Sequence, residues 1–161
     1  MIRDLKILTG IFLLQLIVPV QAQVTERNVS MNVARVIIDA ALEECAKSGY
    51  KVVVTVVDRA GELKAMQRHD GTNPHNIELS RRKAYTARTF RQTTEEFRIR
   101  TEQPESSGLR TLPGMIWAAG GVPIKIGDDT VGGLGVSGAP GGPRDEICAK
   151  AGVAKVVDAL K

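Results

Sequence analysis

The chain has 161 residues, two cysteines and a formal net charge of +4. Because only 4% of its residues are aromatic, it offers few platforms on which nucleic-acid bases could stack, and we expect no nucleic-acid partner. The small basic excess indicates no particular ligand class, and the length fits a single domain.

The N-terminal segment has the composition of a secretory signal peptide. A basic start precedes the apolar run "ILTGIFLLQLIVPV", and Val20 and Ala22 supply the small residues expected before a cleavage site. The run is shorter than the roughly 20 residues of a membrane-spanning helix, so an uncleaved anchor is the weaker alternative. The sequence therefore predicts a signal peptide at 1–22, a mature domain at 23–161 without a stable membrane anchor, and a periplasmic or secreted location.

Hydrophobic periodicity divides the rest of the chain into helices and strands. A helix capped by Ser30 ends at Gly49, and a second helix opens with Asn73 as its cap and Pro74 at its first position. In chain order the predicted elements are a helix at 30–48, strands at 51–58 and 62–69, helices starting near 73 and 93, a loop at 103–113, strands at 115–119, 120–126 and 130–136, and a helix at 145–160. Strands that come in hairpin runs, with helices between the runs, predict an α+β domain with an antiparallel sheet.

The first strand, "KVVVTVVD", is apolar on both faces. Such a strand is covered on both sides, by helices or by another subunit. Because a chain of this length has few helices for that purpose, we predict a homo-oligomer in which contacts between copies cover the remaining face.

The stretch "GLGVSG", Gly133 to Gly138, fits the dinucleotide-binding pattern G-x-G-x-x-G. That pattern requires a helix directly after the glycines, a second parallel strand and an acidic residue at its end. Pro140 and Pro143 intervene, and the acid at that distance, Asp158, falls in the last helix. We therefore interpret the glycines as a strand to which another backbone or a ligand comes close.

Several stretches together resemble the GlcG/HbpS-like family of small haem-binding, in part haem-degrading, proteins. They are "VTVVDRAGELKAMQRHDG", "RRKAYTARTF" and "GGVPIKIGDDTVGGLGVSGAPGGPRDEICAKAG", and the resemblance covers about 29–157. It implies a single profilin-like domain, with an antiparallel sheet of about five strands flanked by helices. It also implies haem as the cofactor and a homo-oligomer, from dimer to octamer.

Haem iron is commonly held by His, Met, Cys or Tyr. The two imidazoles of the chain belong to His69, at the end of a strand, and His75, at the start of a helix, and they could flank one cleft. Each is a candidate iron ligand, with a surface histidine as the equal alternative. Met66, Tyr85 and Met115 are weaker candidates, better explained by packing in the core.

Haem propionates are carboxylates, with which Arg or Lys would pair. Lys83 matches the "KA.TA" pattern of the family and is the sharper candidate, whereas Arg82 is equally well explained as a solvated residue. A lysine in a pocket of low dielectric could also serve as a Schiff base or an acid/base group. Asp58 is better explained by a turn, and Glu78 by the helix surface.

The resemblance also bears on Cys45 and Cys148. In a profilin-like fold the first and last helices can pack side by side, and export would place both thiols in an oxidising compartment. A disulfide between them is therefore predicted, with two separately buried thiols as the alternative.

Two functions remain open from the sequence. The first is an exported haem-binding protein, which sequesters or degrades haem. The second is an accessory enzyme or a binder of small organic acids in an oxidative, glycolate-type pathway, in which a small carboxylate would meet Lys83. No arrangement of catalytic residues in the sequence decides whether the chain is an enzyme.

Overall fold

The computed structural model describes residues 24–157, so the predicted signal peptide and its cleavage site lie outside the described residues. The elements in chain order are α1 (Met31–Lys47), β1 (Val53–Val57), β2 (Leu63–Arg68), α2 (His75–Phe90), α3 (Thr94–Arg100), a 3-10 helix (Pro104–Thr111), β3 (Gly121–Ile126), β4 (Asp129–Ser137) and α4 (Gly142–Ala154). None of the helices between residues 24 and 157 has the length and apolar character that crossing a bilayer requires.

The four strands form one antiparallel sheet in the order β2-β1-β4-β3. This confirms the α+β class, with helices flanking an antiparallel sheet, but the predicted count of about five strands is wrong. The predicted strand at 115–119 is irregular, and the predicted loop at 103–113 contains the 3-10 helix. The polar groups of 115–116 are bonded to side chains of α2 instead of to a neighbouring strand: Arg82 donates to the Met115 carbonyl, and the Ile116 N–H donates to Thr86 Oγ1.

Local signals at the helix ends are mostly confirmed. Ser30 accepts a hydrogen bond from the Val33 N–H, Gly49 follows α1 with a φ of +72°, and Thr93 forms a capping box with Glu96 at the start of α3. The prediction that Asn73 caps α2 is wrong: the helix begins at His75 without a side-chain cap. Asn73 contributes its carbonyl, which accepts the Asn76 N–H, so the first turn closes on backbone groups.

The sheet is covered on both faces by helices of the same chain. Val52, Val54 and Val56 join the core under α1 and α4, while Thr55 on the other face bonds Ser80 of α2, with 2.7 Å between the two hydroxyl oxygens. All residues of β1 are buried in the single chain. The predicted double coverage is confirmed, but the inference that a second subunit must provide half of it is wrong.

Helix α2 lies unusually close to β4, and glycines make this possible. A Cβ built on Gly133 would lie 2.2 Å from the Ala84 carbonyl oxygen, and one on Gly135 would lie 2.0 Å from the Ser80 carbonyl oxygen. These glycines belong to "GLGVSG", and the small residues Ser80 and Ala84 face them. The stretch is therefore the predicted site of close backbone approach.

A disulfide joins the two helices on the other face. Cys45 of α1 and Cys148 of α4 are bonded, with their Cα atoms 5.5 Å apart, which confirms the predicted pairing. Gly152 of α4 allows the contact between these helices to be tight, since a Cβ there would lie 2.7 Å from the Ile37 carbonyl oxygen. The bond crosslinks the two ends of the domain.

Candidate functional site

A cavity of about 340 Å³ lies where the first turn of α2, the end of β4 and the first turn of α4 meet. We call it the α2–α4 cavity. Its polar lining includes the side chains of His75, Asn76, Lys83, Ser137 and Asp145. Its volume falls at the lower end of the range of roughly 300–1,000 Å³ that ligand pockets span.

The mouth and the wall of this cavity differ in exposure. His75, the first residue of α2, is exposed, whereas Asn76 beside it is buried and accepts a 2.8 Å hydrogen bond from Ser137 Oγ at the end of β4. The histidine is thus presented to solvent at the cavity, while the Asn76–Ser137 contact ties α2 to the sheet next to it.

Lys83 and Asp145 form a buried ion pair in the same lining. Lys83 Nζ donates to Asp145 Oδ2 at 2.7 Å and to the Val136 carbonyl oxygen at 2.9 Å. The side chains are 2% and 4% exposed, respectively, so water screens the pair little. Asp145 Oδ1 also accepts the Ala139 N–H, which fixes the segment that leads from β4 into α4.

Burial shifts both members of this pair toward their neutral forms. Removal from water lowers the pKa of Lys83, although the negative charge of Asp145 opposes this shift. Removal from water likewise raises the pKa of Asp145, and Lys83 opposes it. Burial therefore opposes the charged form of each partner, and the opposite charge of the other favours it.

Gly120 leaves the space that the pair occupies. A Cβ on Gly120 would lie 2.7 Å from Asp145 Cβ and 2.9 Å from Lys83 Nζ. The residue has a φ of +118° and accepts the Val136 N–H through its carbonyl. Both its conformation and its surroundings require glycine.

The two histidines do not line the same cavity. His69 is half-buried and lines a second cavity of about 340 Å³, together with Tyr50, Lys51 and Asp70. Its Nδ1 accepts the Val52 N–H at 3.3 Å, which leaves Nε2 for any ligand. The expectation that His69 and His75 flank one cleft is therefore wrong, and each must be considered as a separate candidate.

Arg82 and Lys83 also differ in their surroundings. Lys83 lines the α2–α4 cavity, but Arg82 donates to the Met115 carbonyl and fastens the segment after the 3-10 helix. Met115 itself is 5% exposed and packs beside Thr86, as expected for a core residue. Tyr85 packs against Gly61, where a Cβ would lie 2.8 Å from its ring.

Three polar residues of the site were missed from the sequence: Asn76, Ser137 and Asp145. In the sequence, Asp145 is placed only as the first residue of the last predicted helix, 145–160. One signal was available for its partner, since Lys83 follows Ser80 by three positions and precedes Ala87 by four, and therefore lies on the same buried stripe of α2. A lysine on that stripe needs a buried carboxylate or another acceptor.

Within residues 24–157, no group of three or more His, Cys, Asp or Glu side chains is placed to hold a metal ion. A single imidazole is nevertheless sufficient as a protein ligand for haem iron.

Comparison with known proteins gives the family. Residues 29–154 match the family model described as "Haem degrading protein HbpS-like". Protein GlcG of Escherichia coli K12 is 32% identical over 108 residues, which cover 67% of this chain and 80% of GlcG.

Solved structures give the same assignment. A crystal structure of a double mutant of Streptomyces reticuli HbpS has a TM-score of 0.78 and 35% identity, covering 85% of this chain and 95% of HbpS. The structure titled as a PduOC:heme complex shares the fold, with a TM-score of 0.71, 24% identity and coverage of 79% of this chain and 94% of that one. Similarity to GlcG and to HbpS extends over most of the domain. The predicted family is therefore confirmed, and the chain belongs to the HbpS-like family.

Proposed function

We propose that this protein binds haem at the α2–α4 cavity, with His75 as the residue that holds the iron. The observation that carries the proposal is the exposed imidazole of His75 at the mouth of a ligand-sized cavity. Membership of a family described by haem degradation supports haem as the ligand.

The residues present fit the iron better than they fit the propionates. The imidazole of His75 could ligate the iron, and Leu79, Ala118 and Ala139, in the same lining, would supply apolar contacts. Lys83 is already paired with Asp145, and Arg82 is bonded to Met115. Neither side chain is therefore offered to the propionates, and haem held by His75 would supply a redox-active iron.

Export to the periplasm or cell exterior is part of the proposal. The Cys45–Cys148 disulfide supports it, because disulfides persist in oxidising compartments and are rare in the cytosol. The composition of the first 22 residues supports the same location. An exported haem binder would sequester haem or present it for degradation.

A titration with haemin tests the proposal. Purified protein, with its disulfide intact, is titrated with haemin at micromolar concentration while the Soret region of the absorbance spectrum is recorded. We expect a saturable shift of the Soret band. A spectrum equal to that of free haemin at every ratio would exclude haem binding.

A second candidate function is the binding of a small organic acid in the same cavity. The small volume, together with Lys83, Asn76 and Ser137 in the lining, favours it. A thermal-shift screen of small mono- and dicarboxylates tests this function independently of haemin. Stabilisation by one acid and not by its amide or ester would support it, and stabilisation by none would count against it.

A further inference from the structure

Lys83 is among the largest fully buried side chains in the part of the chain that the structure describes. A buried lysine is costly, and this one lies in the lining of a cavity instead of inside the apolar core. Haem binding through His75 makes no use of it. Its surroundings therefore indicate a separate chemical role.

The contacts of Nζ leave one position open. An ammonium group has three N–H donors, and two of them are accounted for by Asp145 Oδ2 and the Val136 carbonyl oxygen. If the third position loses its proton, a lone pair takes its place without breaking either contact. Gly120 closes one side of Nζ, where even a Cβ would lie only 2.9 Å away, so a ligand can approach only from the side of the α2–α4 cavity, which Lys83 lines.

A carboxyl group is in contact with the same nitrogen. Asp145 is within hydrogen-bonding distance of Nζ and also lines the cavity, so it can exchange protons with a group that enters beside Lys83. Asn76 and Ser137, in the same lining, can orient a polar substituent of that group. A buried amine, a neighbouring acid and an adjoining cavity are the arrangement that imine formation requires.

We propose that Lys83 forms an imine with a small aldehyde that enters the α2–α4 cavity, with Asp145 as the proton donor and acceptor. The Nζ lone pair forms a bond to the carbonyl carbon, and the carbonyl electron pair moves to oxygen, which takes the proton of Asp145. The nitrogen returns one proton to Asp145, giving a carbinolamine. Asp145 then protonates the hydroxyl group, which leaves as water as the C=N bond forms, and the last proton of the nitrogen restores the acid.

The electrostatics of the site support this chemistry. Burial lowers the pKa of Lys83 and raises the pKa of Asp145, so both move toward the forms in which the amine is a nucleophile and the carboxyl group is an acid. Each unit by which the pKa of a lysine falls increases its neutral fraction near pH 7 about tenfold.

Reductive trapping tests the proposal on the native, disulfide-bonded chain. The protein is treated at pH 6.5 with acetaldehyde and sodium cyanoborohydride, and peptide mass spectrometry measures the rate of ethylation at each lysine. We expect ethylation of Lys83, which lines the cavity beside Asp145, to be faster than that of the exposed Lys125. In urea, where the pocket is lost, the two rates should become equal.

Substitutions give a matched control. Lys83→Arg keeps the positive charge but cannot form an imine, so the fast ethylation should be absent from this variant. The Lys125→Arg variant should still show fast ethylation at Lys83. Native-state ethylation of Lys83 that is as slow as that of Lys125, or slower, overturns the proposal even if the Lys83 variant fails to fold. Because haemin is absent from this experiment, its failure leaves the haem titration unaffected.

Discussion

Lys83 and Asp145 are in contact, although their helices pack on opposite faces of the sheet. Lys83 Nζ lies 2.7 Å from Asp145 Oδ2 and also donates to the carbonyl of Val136 at the end of β4. The pair thereby ties α2, β4 and α4 together at the end of the sheet where the cavity opens. Its energetic and functional consequences can be measured separately.

Removing one partner of this pair should strongly destabilise the fold. Lys83→Met leaves Asp145 buried without its counter-charge, and Asp145→Asn leaves Lys83 buried without its own. In comparable buried pairs, such a change lowers the free energy of unfolding by about 3–5 kcal/mol. The control is Arg81→Met, which breaks an exposed pair with Glu78 and should cost less than about 1 kcal/mol. Urea unfolding measures all three. Equal losses for the buried and the exposed pair would contradict this prediction.

Gly135→Ala should destabilise the domain because the new methyl group would collide with the Ser80 carbonyl oxygen at 2.0 Å. Backbone has to move for the methyl group to fit, and overpacking of this kind costs about 1–3 kcal/mol or more. Gly108→Ala is the matched control, since a Cβ there would meet nothing within 4 Å. Thermal unfolding distinguishes the two. A Gly135 variant as stable as the Gly108 variant would show that α2 does not pack against β4 this closely.

Reduction of the Cys45–Cys148 bond should lower the free energy of unfolding. The bond links residues 103 positions apart, and closing a loop of about 100 residues is worth up to about 4.7 kcal/mol in the chain-entropy model, with measured losses of about 2–5 kcal/mol. We expect dithiothreitol to lower the urea midpoint of the native chain. The double variant Cys45→Ala/Cys148→Ala should not respond to dithiothreitol. If dithiothreitol left the urea midpoint of the native chain unchanged as well, the bond would not stabilise the fold.

We also propose that the protein is a homo-oligomer, between a dimer and an octamer. Support for this comes from the open edge of β2, where the side chain of Leu63 is 55% exposed, and from Ile147 on α4, which is 60% exposed. Multi-angle light scattering at micromolar concentration should give a multiple of the subunit mass. A mass near that of one subunit would refute the proposal.

Local sequence patterns predicted most of the fold because the relevant interactions are local. The β-branched run of β1 and the Ser30 cap each act within a few residues of the chain. The glycines of "GLGVSG" could be interpreted correctly because the flanking prolines exclude the nucleotide-binding context. In each case the signal used for the prediction lies in the stretch or directly beside it.

Features that depend on distant contacts could not be predicted in this way. Residues 115–119 have the composition of a strand, but Arg82 and Thr86, about 30 positions earlier, take up their hydrogen bonds. Lys83 and Asp145 are separated by 62 positions, and neither segment contains a pattern that predicts their contact. The separation of His69 from His75 into two cavities likewise depends on how the chain folds between them.

The central claim, that His75 holds haem iron, is tested most directly by haemin titration of single variants. Mutating a residue that only supports a metal ligand typically lowers metal affinity about 10–100-fold. Removing the ligand itself in His75→Ala should therefore weaken haemin binding at least about tenfold and alter the Soret band. His69→Ala is the matched control, because His69 lines a different cavity, and it should bind haemin as the native chain does. Unchanged affinity and spectrum in the His75 variant would contradict the assignment, and loss of binding in the His69 variant alone would move the site to the second cavity.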